Sequence, residues 1–155
     1  KVVVEIEPVY CFLVKLGISM TIEFEISEKY QMILARSYGP VQRIEISYYQ
    51  QEMLQHPLFS SDLRQLVDMS RTSLLDIKPE EIESLPYIFD RQTKRAIVAT
   101  SALSFTPLRL LQIQRTDKHY GTLLVCRTLE EALYWIELDL EDYYDLCKDV
   151  GFSII

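Results

Sequence analysis

The sequence predicts an α/β fold, with a mixed, partly parallel β-sheet packed with α-helices. Two observations carry that reading. The first is residues 63–100, which run strand, helix, strand. Leu66 and Val67 stop at Asp68, and Ala96-Ile97-Val98-Ala99 stops at Thr100 and Ser101. Short apolar runs that end in polar residues have the form of buried strands. Between them Ile82, Leu85, Ile88 and Phe89 recur at helical spacing, while Glu80, Glu81, Glu83 and Arg91 fall elsewhere on the helix. Short joins between strand, helix and strand require a parallel pair with a right-handed crossover. The second observation is the alternation of Ile22, Phe24 and Ile26 with Glu23 and Glu25, which predicts an amphipathic strand with one wet face.

The remaining elements follow in order. Residues 1–19 are either an added segment or an N-terminal extension, and VVVEIE and VYCFLVKL favour an extra strand. Ser27-Glu28-Lys29 turns the chain into a second strand, Tyr30 to Ser37, giving a hairpin that Gly39-Pro40 breaks. A helix from Val41 to Gln55 places Val41, Ile44, Tyr48, Met53 and Leu54 inward, and Pro57 closes it at His56. Beyond the central unit, Phe105 to Thr116 reads as a helix, Gly121 begins the strand TLLVCR, and Leu129 to Leu138 is a helix. Leu129, Ala132, Leu133 and Ile136 face inward there, and Glu130 and Glu131 suit its first turn. Asp139 to Asp149 is strongly acidic, either a solvated helix packed by one edge or a docking tail. The organisation expected is thus an extension at 1–19, an α/β domain at 20–138 and an acidic C-terminal helix or tail at 139–155.

Composition narrows the function classes. Hydrophobic residues at 48% and charged residues at 25% exclude a disordered chain. A net charge of −7 with scattered Lys and Arg argues against nucleic acid and anionic membranes, because both recruit clustered basic residues. No apolar run approaches the roughly 20 residues that a membrane helix needs. Residues 1–19 lack the basic start and small-residue site of a secretory signal. Cys11, Cys126 and Cys147 are far apart without a CxxC or a His pair, so they read as reduced thiols rather than zinc ligands. A cytoplasmic protein without a cofactor or metal is expected.

Ligands of open parallel sheets bind beyond the carboxyl ends of the strands. That rule selects Asp68 to Lys78, with Asp68, Ser70, Arg71, Thr72, Ser73 and Asp76, and Ser101 to Arg109, with Ser101, Ser104, Thr106 and Arg109. Thr128 follows the third parallel strand. These residues form either a docking rim or a set of hydroxyls that satisfy loops and caps. Enzyme templates fit poorly, and none is expected to apply. His56 and His119 are not placed beside a nucleophile, and Pro79, Glu80 and Glu81 at the central helix repel a phosphate.

The run RQLVDMSRTSLLDIKPEEI, the following RAIVATSALSF, Arg109 in PLRLL and VCRTLEEALYWIEL resemble the SpoIIAA-like proteins. These are grouped with the STAS domains and related to the CRAL-TRIO lipid-binding fold, and the resemblance covers Thr21 to Leu138. It implies a mixed sheet flanked by helices and a non-catalytic regulatory module that binds a protein partner. In the anti-anti-sigma branch a Ser following an Asp at the start of the central helix is phosphorylated. Setting Asp76 on that Asp puts Ile77 at the modified position, so a substitute would have to use Ser70, Thr72 or Ser73. The lipid-binding branch implies an alternative, a small apolar-ligand carrier with a cavity between the Phe105 and Leu129 helices. Phe105, Leu111, Tyr134 and Trp135 otherwise read as core. Self-association as a homodimer through an edge strand is a further expectation, with residues 1–19 capping or supplying that edge.

Overall fold

Ile22, Phe24 and Ile26 do line one side of a strand, β1 (Ile22–Ser27), in which the glutamates between them are exposed. Phe24 sets its ring edge against Tyr49, with centroids 5.4 Å apart. The computed structural model describes residues 21–117 and 122–154. The extension expected at 1–19, Cys11 and His119 lie outside these residues. β2 (Met32–Gln42) returns antiparallel to β1, and Gln31 takes a left-handed conformation in the turn, with φ 51°.

Gly39-Pro40 does not break this strand, contrary to expectation. The register of β2 shifts there, Gly39 adopts φ 64°, and pairing continues to Gln42. Pairing with β1 has ended at Ser37, so among the described residues only β3 flanks this part of β2. A residue without an N–H is tolerated on such a free edge.

The chain then runs α1 (Arg43–Gln55), β3 (Arg64–Asp76), α2 (Pro79–Ser84), β4 (Lys94–Val98), α3 (Ala102–Asp117), β5 (Thr122–Cys126), α4 (Leu129–Ile136) and α5 (Leu140–Asp149). The sheet order is β1-β2-β3-β4-β5, with β2 to β5 all parallel. The fold is the expected α/β arrangement, a mixed, partly parallel sheet packed with helices. Alternate strand residues serve two cores. Ile33, Ala35, Val67, Met69, Ile97 and Val125 pack with Tyr49 and Met53 of α1, with Leu108 of α3 and with Phe89. Met32, Leu34, Leu66, Ala96, Val98 and Cys126 pack with Ala132, Leu133 and Ile136 of α4 and Tyr143, Leu146 and Cys147 of α5. Each such aliphatic side chain withdrawn from water contributes about 1.5–3 kcal/mol before entropy is counted. The acidic α5 is therefore packed into the second core through one edge, by Tyr143, Leu146 and Cys147.

Several boundaries differ from expectation. In α1 the inward residues are Tyr48, Tyr49 and Met53, whereas Ile44 and Leu54 are 52% and 48% exposed. The helix expected across 79–94 stops at Ser84, because Pro86 forces Leu85 into extended geometry, with ψ 126°. Leu85 and Phe89 are buried all the same, from an irregular segment. β3 continues to Asp76, so residues 70–76, expected as a loop, are strand paired with the far half of β2. α3 and α4 cover opposite faces of the sheet, and the concavity they share, between Phe105 and Trp135 at the β5 edge, is an open groove rather than an enclosed cavity. Tyr134, read as core, is 87% exposed. No described helix is long and apolar enough to cross a membrane.

Candidate functional site

Because β3 outruns β4, its last residues rise past the carboxyl end of the shorter strand, whose pairing with β3 ends at Asp68 and Val98. The step between them opens a cleft of roughly 270 Å³ on the face that carries the second core. Asp68, Ser70 and Arg71 of β3, Thr100 after β4, Arg127 after β5 and Arg36 of β2 converge there, with Tyr38, Tyr143 and Tyr144 as aromatic walls. Three guanidiniums against one carboxylate make the cleft locally positive on a chain whose net charge is −7.

Each arginine is held differently. Arg36 is buried, donates through Nη1 to the Ser153 carbonyl at 2.5 Å and lies 4.8 Å from the Phe152 ring centroid. Its Nε has no partner among the described residues. Burial opposes its charge, but the neighbouring Tyr143 hydroxyl holds the guanidinium above its usual pKa. Burial likewise pushes the Tyr143 phenol up to about 12, with Arg36 pulling the other way. Arg71 is exposed and stacks over Tyr38 at 5.9 Å. Arg127 lies 4.2 Å from the Phe105 ring centroid and donates through Nη1 to the Thr100 carbonyl at 3.1 Å. Asp68 turns Oδ1 onto the Ser70 amide at 2.9 Å. Rigid guanidinium forks facing one concavity suit a carboxylate or another oxyanion.

The candidates from the sequence divide accordingly. Asp68, Ser70 and Arg71 line the cleft. Ser101 neighbours it, and its hydroxyl donates to the Ser73 carbonyl at 3.1 Å. Ser73 and Asp76 lie exposed further along β3. Thr72 is buried with its hydroxyl against that of Ser37, and Ser104 is buried and donates to the Ser101 carbonyl at 3.0 Å. Both are structural. Thr128 caps α4 by accepting from the Glu131 amide at 3.2 Å. Arg109 lies apart, in a groove with Phe105 and Trp135, and donates to Gln112 Oε1 at 2.8 Å.

Arg127 was legible, since the rule that selected Asp68 and Ser101 also selects the residue that follows β5, one position before Thr128. Arg36 carried a fainter signal, a charge inside the apolar run MILAR. The carboxylate in the cleft, Asp68, has its Oδ1 held by the Ser70 amide. His56 Nδ1 accepts from the Leu58 amide at 3.1 Å, and His56 packs on Phe24, a residue of the first core. Among the described residues no cluster of His, Cys, Asp or Glu is placed to hold a metal.

No protein-family model matches the chain, and no curated protein matches it. Among solved structures it is similar to an anti-sigma factor antagonist from Mycobacterium paratuberculosis, at 15% identity and a TM-score of 0.48, over 75% of this chain and 94% of that one. It is also similar to an uncharacterized protein with a SpoIIAA-like fold from Shewanella loihica, at 15% identity and a TM-score of 0.47, over 74% and 91% of the two chains.

Proposed function

We propose that this chain is a non-catalytic, cytoplasmic regulatory module that docks a protein partner, with the cleft between Arg36, Arg71 and Arg127 receiving an acidic segment of that partner. The carrying observation is the convergence of three guanidiniums on one concavity of a chain that is otherwise acidic. Asp68, Ser70 and Thr100 line the cleft as well, and the docking surface extends to Ser73 and Asp76 on the overhanging strand and to Ser101 beside it. The hydroxyl protons support binding over catalysis. Thr100 and Ser101 spend theirs on the Ser70 and Ser73 carbonyls, at 2.8 and 3.1 Å. A hydroxyl engaged in that way, with no base beside it, is not an activated nucleophile.

Titration with an octaglutamate peptide at low ionic strength tests the reading, with octalysine as the control. Octaglutamate should bind and weaken steeply with salt, since the contact is between partly exposed charges. Arg71→Glu combined with Arg127→Glu should abolish binding, whereas Arg109→Glu, outside the cleft, should leave it within about twofold. Undiminished binding by the double variant, or no binding by the native chain, rules out the assignment.

A further inference from the structure

We infer that the opposite face of the sheet carries a second binding site, an apolar cavity that takes a small aromatic or short-chain carboxylic acid with its carboxylate on Arg95. The cavity measures roughly 110 Å³ and is walled by Tyr49, Met53, Val67, Phe89, Ile97 and Leu108. Close-packed cores seldom leave voids larger than a water molecule. An apolar cavity of about 150 Å³ in another protein stays dry and admits benzene, so this smaller one has room for a single ring or a short branched chain at most and not for a long acyl chain.

Two polar atoms on its wall lack partners. Arg95 Nε and Gln50 Oε1 are both buried and have no hydrogen-bond partner among the described residues. Arg95 stands directly across the ladder from Gln65, and its guanidinium lies 4.7 Å from the Phe89 ring centroid and 5.2 Å from that of Tyr87. No described carboxylate forms an ion pair with it. Arg115, a charge of the same sign, also lies over the Tyr87 ring, at 5.4 Å, and donates to the Leu85 carbonyl at 2.5 Å. Burial, reinforced by Arg115, lowers the Arg95 pKa, with Tyr87 opposing.

A buried cation is ordinarily paired. Arg95 has the Tyr87 hydroxyl as a hydrogen-bond neighbour but no described carboxylate, and it stands at the wall of a cavity shaped for an apolar body, so the ligand that completes the site carries both an anionic head and a hydrophobic remainder. Phosphate satisfies only the charge, and a hydrocarbon satisfies only the walls. Gln50 Oε1 is left to accept from a hydroxyl or protonated substituent. The site is independent of the docking cleft, because Val67 and Ile97 face the first core and Leu66 and Val98 the second.

The test is calorimetric titration and thermal denaturation of the full chain with benzoate, with benzyl alcohol as the uncharged probe. Benzoate should bind at least about tenfold more tightly than benzyl alcohol and raise the melting temperature with concentration. Arg95→Leu should lose that preference while still admitting benzyl alcohol. Leu108→Phe, which fills the cavity, should exclude both. Arg71→Glu with Arg127→Glu should leave benzoate binding unchanged. Failure of benzoate to bind, equal benzoate binding by Arg95→Leu, or loss of it in the cleft variant each overturns the inference.

Discussion

The Thr100 hydroxyl donates to the Ser70 carbonyl at 2.8 Å, just past the point where β3 and β4 stop pairing. Ser101 repeats the contact at the Ser73 carbonyl. Side chains thus replace a backbone ladder along the free edge of the overhang that carries Arg71. Thr100→Val with Ser101→Ala should loosen this overhang at a cost of about 1.5–4 kcal/mol, the two bonds to β3 and the one the Ser101 hydroxyl accepts from the Leu103 amide. Amide exchange of residues 70–76 should speed up while Leu66 and Val67 stay protected. Uniform exchange across β3 in the variant and the parent would refute the tether.

Glu45 is a buried carboxylate of α1 that the sequence reading passed over. Its Oε1 accepts from the Thr21 amide at 3.0 Å and the Thr21 hydroxyl at 2.7 Å, and its Oε2 accepts from the Gln42 amide at 2.8 Å. Three donors stabilise a charge that would otherwise be costly to bury. Glu45→Gln turns an amide N–H₂ toward at least one donor, so a loss of about 2 kcal/mol is expected. Urea unfolding measures it as a lower midpoint at unchanged slope. A shift below about 0.5 kcal/mol would mean that Thr21 is held by other contacts.

Burial pushes the Cys126 thiol up to about 11 from an ordinary value of 9.0, and the charge of Glu131 adds to the rise. The folded state therefore favours the neutral thiol. Its contribution to stability is complete below about pH 9 and is lost as the pH climbs towards about 11. Folding stability should fall across that window, and Cys126→Ala should flatten the fall. Tyr143, pushed up to about 12 by burial, governs a later stage. An identical pH profile for Cys126→Ala would show that the thiol does not titrate this way.

Gln112 links Arg109 to the sheet. Its Oε1 accepts from Arg109 at 2.8 Å and from the Val125 amide of β5 at 2.7 Å. β5 is the edge strand of the described sheet, and an unpaired amide there invites another strand. Gln112→Leu should expose that amide and increase concentration-dependent self-association, read by sedimentation velocity, with a stability loss of about 1 kcal/mol. A variant that sediments and unfolds like the parent would discount the cap.

Much of the strand and helix order was legible because apolar periodicity is local. β1, β4, β5 and α4 follow from alternation or helical spacing in their own residues, and the stop at His56 follows from Pro57. Part of the candidate site was legible too, since Asp68 and Ser101 follow from a rule about strand ends. Arg109 was misplaced because the end of a strand says nothing about where the next helix carries its side chains. Thr72 and Ser104 read as surface hydroxyls because burial is not written in residue type.

What the sequence alone determined is the pattern of apolar runs and breakers that makes the chain an α/β protein with parallel strands. Only tertiary structure decided that β3 outlasts β4, since a polar stretch such as SRTS becomes strand when the far half of β2 offers it a ladder. That extension brings Arg71 beside Arg36 and Arg127, three residues far apart in the chain. Their meeting depends on register and strand length, which backbone pairing across the sheet sets and no local pattern encodes.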